Sequence, residues 1–230
     1  MNFKLWLEDN PYTKERKTWP SYTSDPERLA SLPDDKLWFH GSPNKFDQFK
    51  IAGIKRRVSH WNNSLGIHFT ADPQIAYNIA TYDNKSNDPV KGFKYDVELD
   101  VNNPLDVGKE SNMDVEALKL AYDQGIVTEK DIKSVMTKGK YIEDGGSWSD
   151  KKMTIDQFFK DHSSIGRRSR AIINNLGPKR TSVAKNYKKN LQNKGYDAII
   201  YKSDYRGEGH APCIVVFDQN KIKINNTEEV

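Results

Sequence analysis

The sequence predicts an α+β fold, and three observations carry that prediction. Short apolar or alternating runs that suit strands lie near the start, at 37–40, 64–70 and 93–99. Three more lie near the end, at 195–201, 213–217 and 221–224. Between them residues 113–194 are predominantly helical in pattern, so strands frame an inserted block of helices.

Residues 1–35 are rich in Pro, Ser and charge, with Trp6 and Trp19 standing apart, and read as an N-terminal arm on a domain spanning 36–230. Leu37 to His40 makes the first strand; Pro43-Asn44-Lys45 turns the chain, and Phe46 with Phe49 pins it back. Lys55 to Asn63 is polar and basic, a loop expected beside whatever the neighbouring strand ends bind. A helix follows over 72–80, with Asp72 as N-cap, Pro73 at the first helical position, and Ile75, Ala76, Ile79 and Ala80 as its buried face. Phe93 to Leu99 alternates as a half-exposed strand does, and Asn103 to Val107 is a short second piece after a turn. An insertion over about 108–194 holds helices at 113–124, 128–137, 154–160 and 182–193, broken by Gly145-Gly146. Gly195 to Tyr201 is a turn into a buried strand, Ser203 to Pro212 a loop by composition, and Cys213 to Phe217 and Lys221 to Ile224 the closing strands.

With 230 residues, 36% hydrophobic and 30% charged, the chain can bury one main core. No stretch approaches the roughly 20 apolar residues of a membrane span, and acids follow the first apolar residues where a signal peptide would stay apolar, so a soluble, cytoplasmic monomer is expected. One cysteine excludes a disulfide framework, and the histidines show no metal-ligand spacing, so no metal is expected. The net charge is only +4, yet nine Lys or Arg and no acid lie between His162 and Tyr196. The block from Arg167 to Lys194 is either a solvated helix face or a surface for phosphate backbones or an acidic protein.

Two segments carry the chemistry. His40-Gly41-Ser42 closes the first strand, and Gly66-Ile67-His68-Phe69 leads into the helix that bears Tyr77. With the late segments 195–200 and 213–218, their order resembles the ADP-ribosyltransferase superfamily, in its His-Tyr-Glu branch of poly(ADP-ribose) polymerases, diphtheria toxin and small phage and bacterial relatives. The resemblance implies split antiparallel sheets around an NAD cleft, with NAD as substrate. It puts His40 on the adenosine-side ribose, the Gly41 backbone on the nicotinamide amide and Ser42 beside them. Gly66, Ile67, His68, Phe69 and Tyr77 then line the nicotinamide end. His68 stands where the family has a tyrosine; an imidazole can stack, and can also titrate near neutrality.

Breaking the nicotinamide–ribose bond builds positive charge on the sugar, which calls for a carboxylate. The family's glutamate position, four residues before Phe217, is Cys213, whose unperturbed pKa of about 8.5 makes it no substitute at neutral pH. Three readings stay open: Glu208 in the preceding loop supplies the carboxylate, the enzyme works on a reactive nucleophile without it, or the domain binds NAD without turnover. Cys213 as a covalent nucleophile with a His partner is a fourth, set against ordinary packing of a small buried Cys. Glu208, His68 and Cys213 are thus the candidates for chemistry. The implied function is mono-ADP-ribosyl transfer to a macromolecular acceptor, protein or nucleic acid, by a toxin-like or modifying enzyme of phage or bacterial setting. The alternative is a degenerate module of the same fold that binds a nucleotide or nucleic acid.

Overall fold

The computed structural model describes residues 37–51, 60–81, 91–137, 155–160, 162–202 and 211–230, with side chains left aside at 136–137, 156–157, 160 and 162–168. The N-terminal arm, most of the loop from Lys55 and the loop carrying Glu208 lie outside the described residues.

Among the described residues seven strands form one sheet: β1 (Leu37–Ser42), β2 (Ile67–Thr70), β3 (Phe93–Leu99), β4 (Pro104–Lys109), β5 (Ala198–Lys202), β6 (Pro212–Val216) and β7 (Ile222–Glu229). Their order across the sheet is β4-β5-β6-β2-β1-β3-β7. The expected split is where β1 meets β2. Those strands pair at Phe39 and Thr70 alone, whereas β1 pairs with β3 along its whole length from Leu37 to Ser42. The two halves of the sheet therefore share one point of register, which leaves the β2-facing edge of Gly41 and Ser42 without a ladder partner.

One pairing departs from the antiparallel expectation: β4 and β5 run parallel. Parallel neighbours need a long crossover, and the helical insertion supplies it. Among the described residues it holds α2 (Glu110–Asp123), α3 (Glu129–Thr137), α4 (Ile155–Lys160), α5 (His162–Asn175) and α6 (Lys179–Asn193); α1 (Pro73–Thr81) precedes it. The sequence patterns give four of these five and miss α5. That helix is rich in Ser and Arg, and Ser169, Ile172 and Ile173 turn inward only because α2 and α6 pack against it.

Side chains alternate between the two faces of the sheet. On one face Ile199, Tyr201, Cys213 and Val215 join the insertion's Met113, Leu118, Phe158, Ile173 and Tyr187 in the larger core. On the other, Ile67, Phe69, Tyr95, Val97, Ile214 and Val216 form a second core, capped by Phe49. Strand β6 is buried on both faces, which is why 213–217 reads as an unbroken apolar run. Strand β7 continues to Glu229, well past Ile224, because its polar half is held by the β3 ladder and by surface ion pairs such as Lys94 with Glu228 at 2.7 Å.

Helix α1 starts as the sequence indicates: the Asp72 carboxylate accepts from the Gln74 N–H at 2.8 Å. Its buried face differs in one residue. Ala76 and Ala80 take the contact with β1, and Ile79 is left 44% exposed.

Candidate active site

Gly41 is where the helix and the first motif meet. A Cβ there would sit 1.9 Å from the Ala76 carbonyl oxygen, so helix backbone lies directly on strand backbone. The glycine read as an opening for a ligand is thus first of all required by α1. Gly66 answers to the sheet in the same way, since a Cβ there would meet the Val216 carbonyl at 2.1 Å.

His40 bridges the split. Its Nδ1–H donates to the His68 carbonyl at 2.8 Å; a carbonyl can only accept, so the proton sits on Nδ1 and Nε2 carries the lone pair. Burial drives the His40 pKa down to about 4, against a raising effect of that same bond, so the ring is neutral at pH 7. The ring is walled by aromatics, with Phe49 at 5.1 Å and Phe69 at 5.7 Å between centroids. Tyr95 anchors the wall. It stacks on Phe46 at 4.2 Å, and its hydroxyl accepts from the Phe46 N–H at 2.8 Å and donates to the Asn44 carbonyl at 3.3 Å. Ile67 and Phe69 are buried in this core as supports, and the Ser42 hydroxyl accepts from the Asn44 N–H at 3.1 Å, which shapes the turn after β1.

His68 projects to the opposite face. Its Nε2–H donates to the Asn62 carbonyl at 3.1 Å, and its Nδ1 accepts from the Tyr201 hydroxyl at 2.9 Å. Burial lowers its pKa as well, so the titration near neutrality expected of an imidazole at this position gives way to a neutral ring. Tyr77 stands 43% exposed on α1, next to the residue that touches Gly41.

Cys213 is 7% exposed, opposite Thr70 on one side and Tyr201 on the other, and its thiol is directed to the Ala211 carbonyl at 3.7 Å. It lies among the core residues of the helical face. Glu208, the other candidate for chemistry, lies outside the described residues.

Part of the basic block is turned to internal use. Arg170 binds Asp114 at 2.8 Å and Glu110 at 3.0 Å; Lys179 binds Asp131 at 2.6 Å. Lys188 donates to the Phe217 carbonyl at 2.7 Å. Among the described side chains Lys185, Lys189 and Lys194 stay exposed, the first two one helical turn apart on α6. The acids missing from this stretch of sequence arrive from α2 and α3.

Three residues of the site escape a reading by motif: Asn62, Tyr95 and Tyr201. Lys55 to Asn63 was expected to be polar loop, yet its last residues enter a short 3-10 turn, Trp61–Ser64, whose tryptophan is fully buried in the larger core. An isolated Trp inside a basic stretch was the available signal. Tyr201 closes an apolar strand, where a hydroxyl has to find a partner once buried.

Among the described residues no group of three His, Cys, Asp or Glu could hold a metal, and no helix is long and apolar enough to cross a membrane. A family model described as ADP-ribosyltransferase in polyvalent proteins matches residues 35–229. Neither the curated proteins nor the solved structures contain a significant match.

Proposed function

Because the chain belongs to the family of ADP-ribosyltransferase domains found in polyvalent proteins, we propose that it transfers single ADP-ribose units from NAD to a macromolecular acceptor. The observation that carries this reading is the bridging imidazole at the split. His40 is fixed by its Nδ1–H with Nε2 left as an acceptor, the group needed to hold a ribose hydroxyl. The unpaired β1 edge at Gly41 offers a backbone donor and acceptor, which match the two polar atoms of a carboxamide. NAD supplies the scissile bond between C1′ and the nicotinamide nitrogen.

His40 and Gly41 orient the two ends of that substrate, and the His68 ring with Tyr77 supports the leaving base. The bonding pair leaves with nicotinamide, the acceptor's nucleophile bonds to C1′, and the acceptor's proton passes to a base. Glu208 is the carboxylate we assign to the developing charge on the sugar. Cys213 takes no chemical part in this reading: its burial, and a thiol aimed at a backbone carbonyl, support packing. The exposed pair Lys185 and Lys189 fits an acidic protein or nucleic-acid acceptor. The setting we propose is a monomeric, toxin-like modifying enzyme, phage or bacterial in origin, working in the cytoplasm of a bacterial host.

Incubation with NAD labelled in the nicotinamide ring tests the reading, with release expected when a protein or nucleic-acid acceptor is present. Binding of NAD without release would leave the degenerate binding module, which the Cys213 position favours. No rise in Tm with NAD would remove both.

A further inference from the structure

His68 is the one residue of β2 that is half-buried; Ile67, Phe69 and Thr70 are all buried. Both of its nitrogens are nevertheless committed. The Asn62 carbonyl has no proton to give, so Nε2 carries the hydrogen, and the Tyr201 hydroxyl has to be the donor to Nδ1. With both nitrogens committed, what the ring can still offer a ligand is a π face and no exchangeable proton.

The atoms that commit those nitrogens are themselves held. Asn62 donates from Nδ2 to Glu110 at 2.9 Å, Glu110 binds Arg170 at 3.0 Å, and Arg170 binds Asp114 at 2.8 Å. Asp114 in turn accepts from the Trp61 indole at 2.6 Å, which closes the circuit on the same short turn that presents the Asn62 carbonyl. A circuit of buried charges is weak evidence for stability, since apolar side chains of equal volume serve that purpose as well. This one also leaves the buried Asn62 Oδ1 without a partner among the described residues, a desolvation cost that a turn built only for packing would avoid. Its bonds converge on the one residue of the strand that is half-buried and not fully buried.

We propose that Tyr201 is a positioning residue for the transfer reaction: together with the Asn62 carbonyl, braced by Glu110 and Arg170, it fixes the tautomer and plane of His68 so that the ring meets the flat nicotinamide leaving group face-on. The inference rests on the NAD reading above. It gives the helical insertion a part in the site, since α2 and α5 supply the brace. The Tyr201 hydroxyl is suited to the task because burial first, and then the charges of Cys213 and Glu110, hold its pKa well above 10, so it stays a donor at every working pH.

Tyr201→Phe keeps ring and volume and removes one hydroxyl. Long-range proton–nitrogen NMR on protein with labelled histidine should show wild-type His68 protonated on Nε2, with Nδ1 bare and hydrogen-bonded; in Tyr201→Phe the Nδ1 resonance should move toward that of an unbonded nitrogen. The KM for NAD should rise about fivefold, the loss of one hydrogen bond, with kcat changing about twofold or less. Glu110→Gln, which can still accept from Asn62 but cannot pair with Arg170, should move KM in the same direction by less. A proton on Nδ1 of wild-type His68, or an unchanged KM in Tyr201→Phe with NAD bound normally, overturns the positioning role alone. A wild type that neither binds nor cleaves NAD overturns this role together with the reading it rests on.

Discussion

His40 and His68 are joined by a hydrogen bond, yet they are different chemical objects. One nitrogen of His40 is spent on the His68 backbone and the other remains an acceptor, whereas both nitrogens of His68 are spent on the helical side of the sheet. Burial keeps both rings neutral. What separates them is the number of committed atoms: His40 keeps one ring nitrogen without a partner among the described residues, and His68 keeps none. The type of a residue in a motif states what it is able to do; its neighbours state which of those abilities is left.

The contrast is broken most widely at Gly41. Any Cβ there meets the Ala76 carbonyl, so Gly41→Val should push α1 off β1 and cost about 3 kcal/mol, read as a fall in the midpoint of urea unfolding. A midpoint within error of wild type would mean the close backbone contact is not present in solution.

Two neutral imidazoles leave the sugar's developing positive charge unanswered, which places the demand on a carboxylate. Glu208→Gln should therefore lower nicotinamide release about a hundredfold, while Cys213→Ser changes it little. Full activity in the first variant with loss in the second would give the thiol the chemistry and the loop none.

At His40 the expected effect is smaller and falls on binding. His40→Ala should weaken NAD by about tenfold, roughly one hydrogen bond, and remove most of the rise in Tm at a fixed NAD concentration. An undiminished rise would take His40 out of the site.

The smallest effect sharpens the comparison through pH. His40 has a pKa of about 4 in the folded chain against 6.5 when unfolded, so between those values only the unfolded state takes up its proton. Its contribution to stability is complete above pH 6.5 and fades as pH falls toward 4. Asp114 acts in the opposite sense over the same range, since burial raises it to about 7 despite the bonds from Arg170 and Trp61. The difference between wild type and His40→Gln in thermal unfolding isolates the imidazole: it should shrink on acidification. A difference that stays level from pH 7 to pH 4 would show that His40 is protonated in the fold.

The strands at both ends, the cap at Asp72, four of the inserted helices and the two histidine motifs were legible in the sequence, because period, capping residues and turn residues act over a few positions along the chain. The sequence put His40 and His68 on two strand segments, and the pairing of β1 with β2 made them neighbours. Helix α5 was not legible, nor was the internal use of Arg170 and Lys179, because the carboxylates that meet them come from residues about fifty positions away. The exposure of Ile79, the helix contact that requires Gly41, and the commitment of both His68 nitrogens by Asn62 and Tyr201 were likewise decided by the tertiary structure. A local pattern fixes which way a side chain points from its own element. Which partner waits there depends on packing between elements, and hydrogen-bond commitment, desolvation and charge pairing follow from that partner.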